Sequence, residues 1–132
     1  MSKYPIFLEL KGRKTVVIGG GSVAFRKTRS LLDAGADVYA VSIKFADEFY
    51  AMSSCSALKM VMSEYSAAYI ESAVLVIAAT DDESLNERIF SDCREKGVLC
   101  NTVDQPELCD FFVPAAVTRG RLCIAVSTGG AC

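Results

Sequence analysis

Hydrophobic residues occur in this chain as short solid runs, each closed by a glycine, a serine or a polar pair. Thr15–Ile18, Asp37–Ser42, Leu58–Met62 and Ala73–Ala79 are four such runs. Strands buried on both faces of a parallel sheet read this way, whereas half-exposed strands alternate. Between the first two runs, Ala24, Thr28, Leu31 and Leu32 share a face at helical spacing. They predict a helix over Ser22–Ala34, stopped by Gly35. Phe45–Met52 predicts a second helix and Tyr65–Ser72 one or two helical turns. Thr80 ends the Ala73–Ala79 strand, and Asp81 or Asp82 then caps a helix running to Lys96. Gly97 stops that helix before a strand at Val98–Asn101. The pattern changes beyond it. Phe111–Val113 and Leu122–Val126 are apolar runs joined across Thr118–Arg121, with no helix between them. They predict an antiparallel or mixed strand pair.

The junction of the first strand and first helix is the most informative stretch. Gly19, Gly21 and Ala24 have the G-x-G-x-x-G/A spacing of dinucleotide-binding turns. The first small residue permits the tight turn, the second admits a pyrophosphate against the backbone, and the third lets helix and strand pack closely. Unpaired N–H groups at the helix start then face the phosphate charge. The expected fold class is therefore α/β: a Rossmann-like doubly wound parallel sheet with a C-terminal strand-pair extension. Residues 1–132 form one nucleotide-binding domain.

Composition narrows the function classes. Hydrophobic residues make up 52% of the chain and mean hydropathy is +0.31. No apolar run approaches the ~20 residues that span a bilayer, and the N-terminus lacks a signal-peptide core. The chain reads as cytoplasmic, without a membrane partner. A net charge of −2 gives no electrostatic footprint for nucleic acid. The six cysteines form no C-x-x-C pair and read as small buried apolar residues. There is no histidine. That excludes histidine metal sites and Ser-His or Cys-His nucleophiles, leaving acid–base work to carboxylate, lysine or tyrosine. No metal site is expected.

Ligands of open α/β sheets lie beyond the carboxyl ends of the strands. Gly19–Val23, Ser42–Lys44, Thr80–Asp82 and Asn101–Asp104 occupy those ends. An acid usually closes the second strand and holds the ribose hydroxyls. Here Ser42 stands in that place, followed by Ile43 and Lys44, and the nearest acid, Asp37, begins the strand. Ser42 or backbone groups are expected to hold the ribose, and Lys44 would tolerate a 2′-phosphate or be simply a solvated lysine. Asp104 reads either as a turn aspartate before Pro106 or as an acid–base group. Asp81 and Asp82 read as helix caps, and Glu107 and Asp110 as surface residues. Arg26, Lys27 and Arg29 read as a solvated helix face, with Arg26 and Lys27 near enough to the turn to meet an anion.

Several segments together resemble the dehydrogenase/ferrochelatase family of siroheme synthesis, found alone or as the N-terminal part of siroheme synthase. They are Tyr4–Leu8, Gly19–Lys27, Ile77–Asp82, Asn101–Asp104 and Val126–Gly130, spread over essentially the whole chain. The resemblance implies oxidation of precorrin-2 to sirohydrochlorin with NAD⁺ as hydride acceptor, and in some members Fe²⁺ insertion. By motif match, Ser22-Val23 and Ile43-Lys44 would contact NAD, with Gly19, Gly21, Ala24, Ser42 and Thr80 completing the cofactor site. Asp104 would be the catalytic aspartate. A carboxylate there suits both steps, since dehydrogenation releases a proton and metalation strips pyrrole protons. Arg26, Lys27 or Arg119 would meet tetrapyrrole carboxylates. Family members continue past the Ser-Thr-Gly-Gly segment into a helical region that makes a homodimer and helps enclose the tetrapyrrole. This chain stops at Cys132; if nothing else supplies that region, it is expected to bind NAD yet turn over poorly, with its dimer altered. A non-catalytic NAD(H)-sensing module is the alternative; it needs the glycine turn but not Asp104 or the strand pair.

Overall fold

The structure, a computed structural model, describes residues 2–128. Five strands, β1 (Lys14–Ile18), β2 (Asp37–Ser42), β3 (Leu58–Met62), β4 (Leu75–Ala78) and β5 (Leu99–Thr102), form one sheet. All pairings are parallel and the spatial order is β3-β2-β1-β4-β5. The chain winds outward from β1 to β3, crosses back, and continues on β1's other side. The reversal falls between β1 and β4, where a doubly wound sheet opens a crevice for ligand.

Alternation along the strands builds two cores. Val17, Val38, Ala40 and Ile77 face helices α1 (Ser22–Asp33) and α2 (Asp47–Ala51), packing with Leu31, Phe45 and Phe49. Val16, Ile18, Val41 and Val76 face α3 (Glu83–Lys96) and a 3-10 turn at Ala67–Ile70, meeting Ile70, Ile89 and Cys93. Both faces of β1 are thus covered, which is why its sequence does not alternate. α3 starts as expected, with the Asp82 carboxylate accepting the Leu85 N–H at 3.1 Å. It ends at Gly97, whose φ of 68° places it in the left-handed region.

The C-terminal strand pair is real, but one strand lies elsewhere than predicted. Phe111–Val113 is not a strand. β6 is Ala115–Arg119, and it pairs antiparallel with β7 (Leu122–Val126) as a sheet separate from the main one. The turn sets this register. Gly120, at φ 58°, supports a two-residue hairpin loop with Arg121, so Thr118 and Arg119 are strand rather than connection. Pro114 stands between Phe111–Val113 and the ladder, and the Phe111 carbonyl instead accepts from the Asn101 side chain. The cysteine expectation holds for Cys93 and Cys100, which are buried; Cys109 is half-buried, and Cys55 and Cys123 are exposed. Cys132 and the glycines of the Ser-Thr-Gly-Gly segment lie outside the described residues. Among the described residues no helix is long and apolar enough to cross a membrane.

Candidate functional site

Two clefts open at the carboxyl edge of the sheet, on either side of α1. The larger, about 790 Å³, lies over the β1–β4 switch point. The glycine turn Gly19–Ala24, the β2 end Ser42–Lys44 and the β4 end Ala79–Asp82 line it, with Tyr65 and Arg88 beyond.

The three glycines of the turn differ in what holds them. Gly19 has φ 132°, and a Cβ there would lie 2.3 Å from the Ala79 carbonyl oxygen. A Cβ on Gly20 would lie 2.1 Å from the Lys44 carbonyl oxygen. These two are dictated by the protein's own backbone. Gly21 is different: a Cβ there would meet nothing within 4 Å. Its φ of −85° suits any residue, so the protein itself does not require glycine. The space it leaves faces the cleft at the start of α1. No side chain caps that helix and its first turn carries no acid, so its leading N–H groups are available to an anion. Ala24 is fully buried against the strand. The turn therefore fits a dinucleotide pyrophosphate.

All the predicted cofactor residues meet around this cleft: Gly19, Gly21, Ser22, Val23, Ala24, Ser42, Ile43, Lys44 and Thr80 line it. Two hydroxyls are already engaged. Ser42 Oγ donates to the Lys44 carbonyl at 2.7 Å and accepts the Lys44 N–H at 3.3 Å, shaping the loop after β2. Thr80 Oγ1 donates to Asn86 Oδ1 at 2.6 Å. Ile43 is 69% exposed, an apolar surface at the β2 end where a base or ribose can rest. Arg88 lies over the Tyr65 ring, 5.1 Å from its centroid. Burial, and donation to Asp92 at 2.7 Å, push the Tyr65 hydroxyl well above its ordinary range and keep it protonated.

The second cleft, about 480 Å³, lies past β5 and does not share these residues. Asn101–Pro106 form one side and Phe112–Ala115 with Val126–Thr128 another, while Lys27 reaches it from α1. Asp104 is exposed on its rim with φ 62°, one of two non-glycine residues with positive φ among those described. That conformation is uncommon outside glycine, although aspartate tolerates it better than most residues. Cys109 also lines the cleft, yet burial raises its thiol above the ordinary value, and Sγ is held between the N–H and carbonyl of Thr102. It is a structural thiol. Asp110, expected at the surface, is half-buried: it accepts the Cys100 N–H at 3.0 Å and pairs with Arg94 at 3.1 Å. Of the predicted cations, Lys27 reaches the second cleft, while Arg26 and Arg119 are exposed and line neither cleft.

Sequence reading passed over Gly20, Tyr65, Arg88 and Asn86. Gly20 had a signal, being the middle of three consecutive glycines where the spacing rule asks for two. The others are single polar residues with no local pattern to mark them.

The chain is similar to several proteins. It is 40% identical over 131 residues to the siroheme synthase of Nitrosococcus oceani, covering 99% of this chain and 28% of that one. It is 42% identical over 130 residues to the siroheme synthase of Thioalkalivibrio sulfidiphilus, covering 98% and 27%. A solved structure titled SirC, precorrin-2 dehydrogenase, superposes with a TM-score of 0.84 at 27% identity, over 98% of this chain and 64% of that one. The chain thus spans little more than a quarter of these curated relatives. A family described as putative NAD(P)-binding matches residues 6–115, the whole glycine-turn cleft included. With a parallel sheet reversing at that cleft, and a glycine there that no protein contact requires, the chain belongs to this NAD(P)-binding family.

Proposed function

We propose that this chain carries the NAD-dependent oxidation of precorrin-2 to sirohydrochlorin, a step of siroheme or related tetrapyrrole synthesis. The observation that carries the reading is Asp104. It stands in a left-handed conformation on the rim of a cleft separate from the one the glycine turn lines. An NAD-sensing module has no use for that second cleft. The similarity to siroheme synthases and to a precorrin-2 dehydrogenase supports the substrate class.

NAD⁺, when bound, supplies the hydride acceptor. Ser22, Val23 and Ala24 N–H groups would hold its pyrophosphate, and Ile43 and Lys44 would contact its ribose end. Oxidation takes two electrons and one hydrogen from the tetrapyrrole as hydride; a second hydrogen leaves as a proton, which the Asp104 carboxylate accepts. Lys27, on the second cleft, meets a substrate carboxylate. Residues 1–132 form the nucleotide-binding unit. In the full-length form the tetrapyrrole is enclosed in a homodimer, a reading that the exposed apolar hairpin supports: Leu122, Ile124 and Val126 are each more than half exposed. The reading places the protein in the cytoplasm.

The test is to mix the chain with precorrin-2 and NAD⁺ and follow NADH and sirohydrochlorin absorbance. Turnover is expected, falling by about two orders of magnitude or more in Asp104→Asn with NAD⁺ binding intact. Undiminished turnover in Asp104→Asn returns Asp104 to a turn residue. NAD⁺ binding without turnover, with the chain alone and joined to a relative's C-terminal region, favours the sensing module. Sirohydrochlorin with Fe²⁺ or Co²⁺ in the same assay reports whether the carboxylate also serves metal insertion.

A further inference from the structure

Asn86 lines neither cleft, yet its side chain touches the loop that borders each. It sits on α3, only 3% exposed. Its amide orientation is fixed by the chemistry of its neighbours, because the Thr80 backbone carbonyl can only accept. Nδ2 therefore faces that carbonyl at 3.1 Å, and its other hydrogen goes to Gln105 Oε1 at 3.2 Å. Oδ1 accepts the Thr80 hydroxyl. A buried amide that lost these partners would lose their hydrogen bonds without recovering water, so the arrangement is held.

The consequence falls on Asp104, which stands between two anchors. On one side the Val103 N–H donates to the Ala78 carbonyl at 3.0 Å. On the other, Gln105 is tied through Asn86 to Thr80. Ala78 ends β4 and Thr80 lies two residues on, so both anchors belong to the strand end that borders the cofactor cleft. The Gln105 N–H closes the turn onto the Thr102 carbonyl at 3.2 Å.

We propose that Asn86 is a positioning residue. It clamps the Asp104 turn to the end of β4 and so fixes the proton acceptor relative to the hydride acceptor. The proposal rests on Asp104 taking the proton, as argued above. Two substitutions at Gln105 separate the clamp from general packing: Gln105→Ala removes the acceptor, and Gln105→Glu restores it. Asn86→Asp keeps the shape but turns a donor towards the Thr80 carbonyl into an acceptor.

Turnover of precorrin-2 is expected to fall about tenfold in Gln105→Ala and Asn86→Asp, with KM and the NAD⁺ dissociation constant within about threefold. Gln105→Glu should recover kcat to within about threefold. Hydrogen exchange gives a readout that needs no turnover. The amides of residues 103 and 105 should exchange about tenfold faster in Gln105→Ala, but not in Gln105→Glu. Unchanged kcat in Gln105→Ala, or a loss in Gln105→Glu as large as in Gln105→Ala, overturns the clamp. So does equal exchange in all three proteins. If the unsubstituted chain fails to oxidise precorrin-2, the functional reading has failed, and exchange alone decides on the clamp.

Discussion

The glycine-turn cleft is walled by elements that are packed for the sake of the fold, whereas the Asp104 cleft shares a wall with a hairpin that packs on almost nothing. Beneath the first lie Val17, Val41 and Ala78, all fully buried. Beside the second, both five-residue strands of the hairpin are exposed throughout. A two-stranded ribbon is marginal by itself in water. On the proposed function, the sheet itself holds the cofactor, while substrate would rest partly on a surface the sheet does not stabilise.

Buried and exposed isoleucines give the sharpest contrast in stability. Ile77→Ala, at a position 2% exposed, should cost roughly 3 kcal/mol in denaturant unfolding. Ile124→Ala on the hairpin, 53% exposed, should cost less than about 0.5 kcal/mol. Equal costs would show the hairpin to be part of the core.

Within the glycine turn, neighbours should separate in kind. Gly20→Ala drives a Cβ into the Lys44 carbonyl and should destabilise the fold by about 2 kcal/mol. Gly21→Ala meets no protein atom, so it should melt like the unsubstituted chain yet bind NAD⁺ about tenfold more weakly. A Gly21→Ala protein with unchanged affinity would detach that glycine from the ligand.

The smallest effect is expected at the Lys96–Glu71 ion pair, which joins α3 to the segment before β4. Lys96 bonding holds the Glu71 carboxyl below its usual 4.5, and the Glu71 bond holds Lys96 above its usual 10.5. A depressed carboxyl stabilises above its unfolded value and loses that contribution as pH falls through the folded one; a raised ammonium does the reverse on the alkaline side. Lys96→Ala should therefore lower the melting temperature slightly at neutral pH, with the difference fading as pH falls through the lowered Glu71 value and shrinking in high salt.

Much of the first cleft was legible in the chain because its parts are local. A solid apolar run, three glycines and a helical repeat lie within twenty residues, and each constrains the next. Strands β1 and β4 were legible for the same reason, since burial on both faces leaves an uninterrupted apolar word. The hairpin was misplaced because apolarity marked Phe111–Val113, while register is set from the other end, by the positive φ of Gly120. Ser42 or backbone groups were expected to hold the ribose; the Ser42 hydroxyl also bonds within its own loop, a contact that only backbone geometry reveals. Asn86 was invisible because its partners lie six and nineteen residues away.

On the proposed function, the cofactor half of the site should work by itself, with the chemical half separable from it. Calorimetric titration of NAD⁺ into the unsubstituted, Gly21→Ala and Asp104→Asn chains tests this most directly. The expected result is equal affinity for the unsubstituted and Asp104→Asn chains, and about tenfold weaker binding by a fully folded Gly21→Ala chain. Absence of binding by the unsubstituted chain, or equal binding by all three, would contradict it.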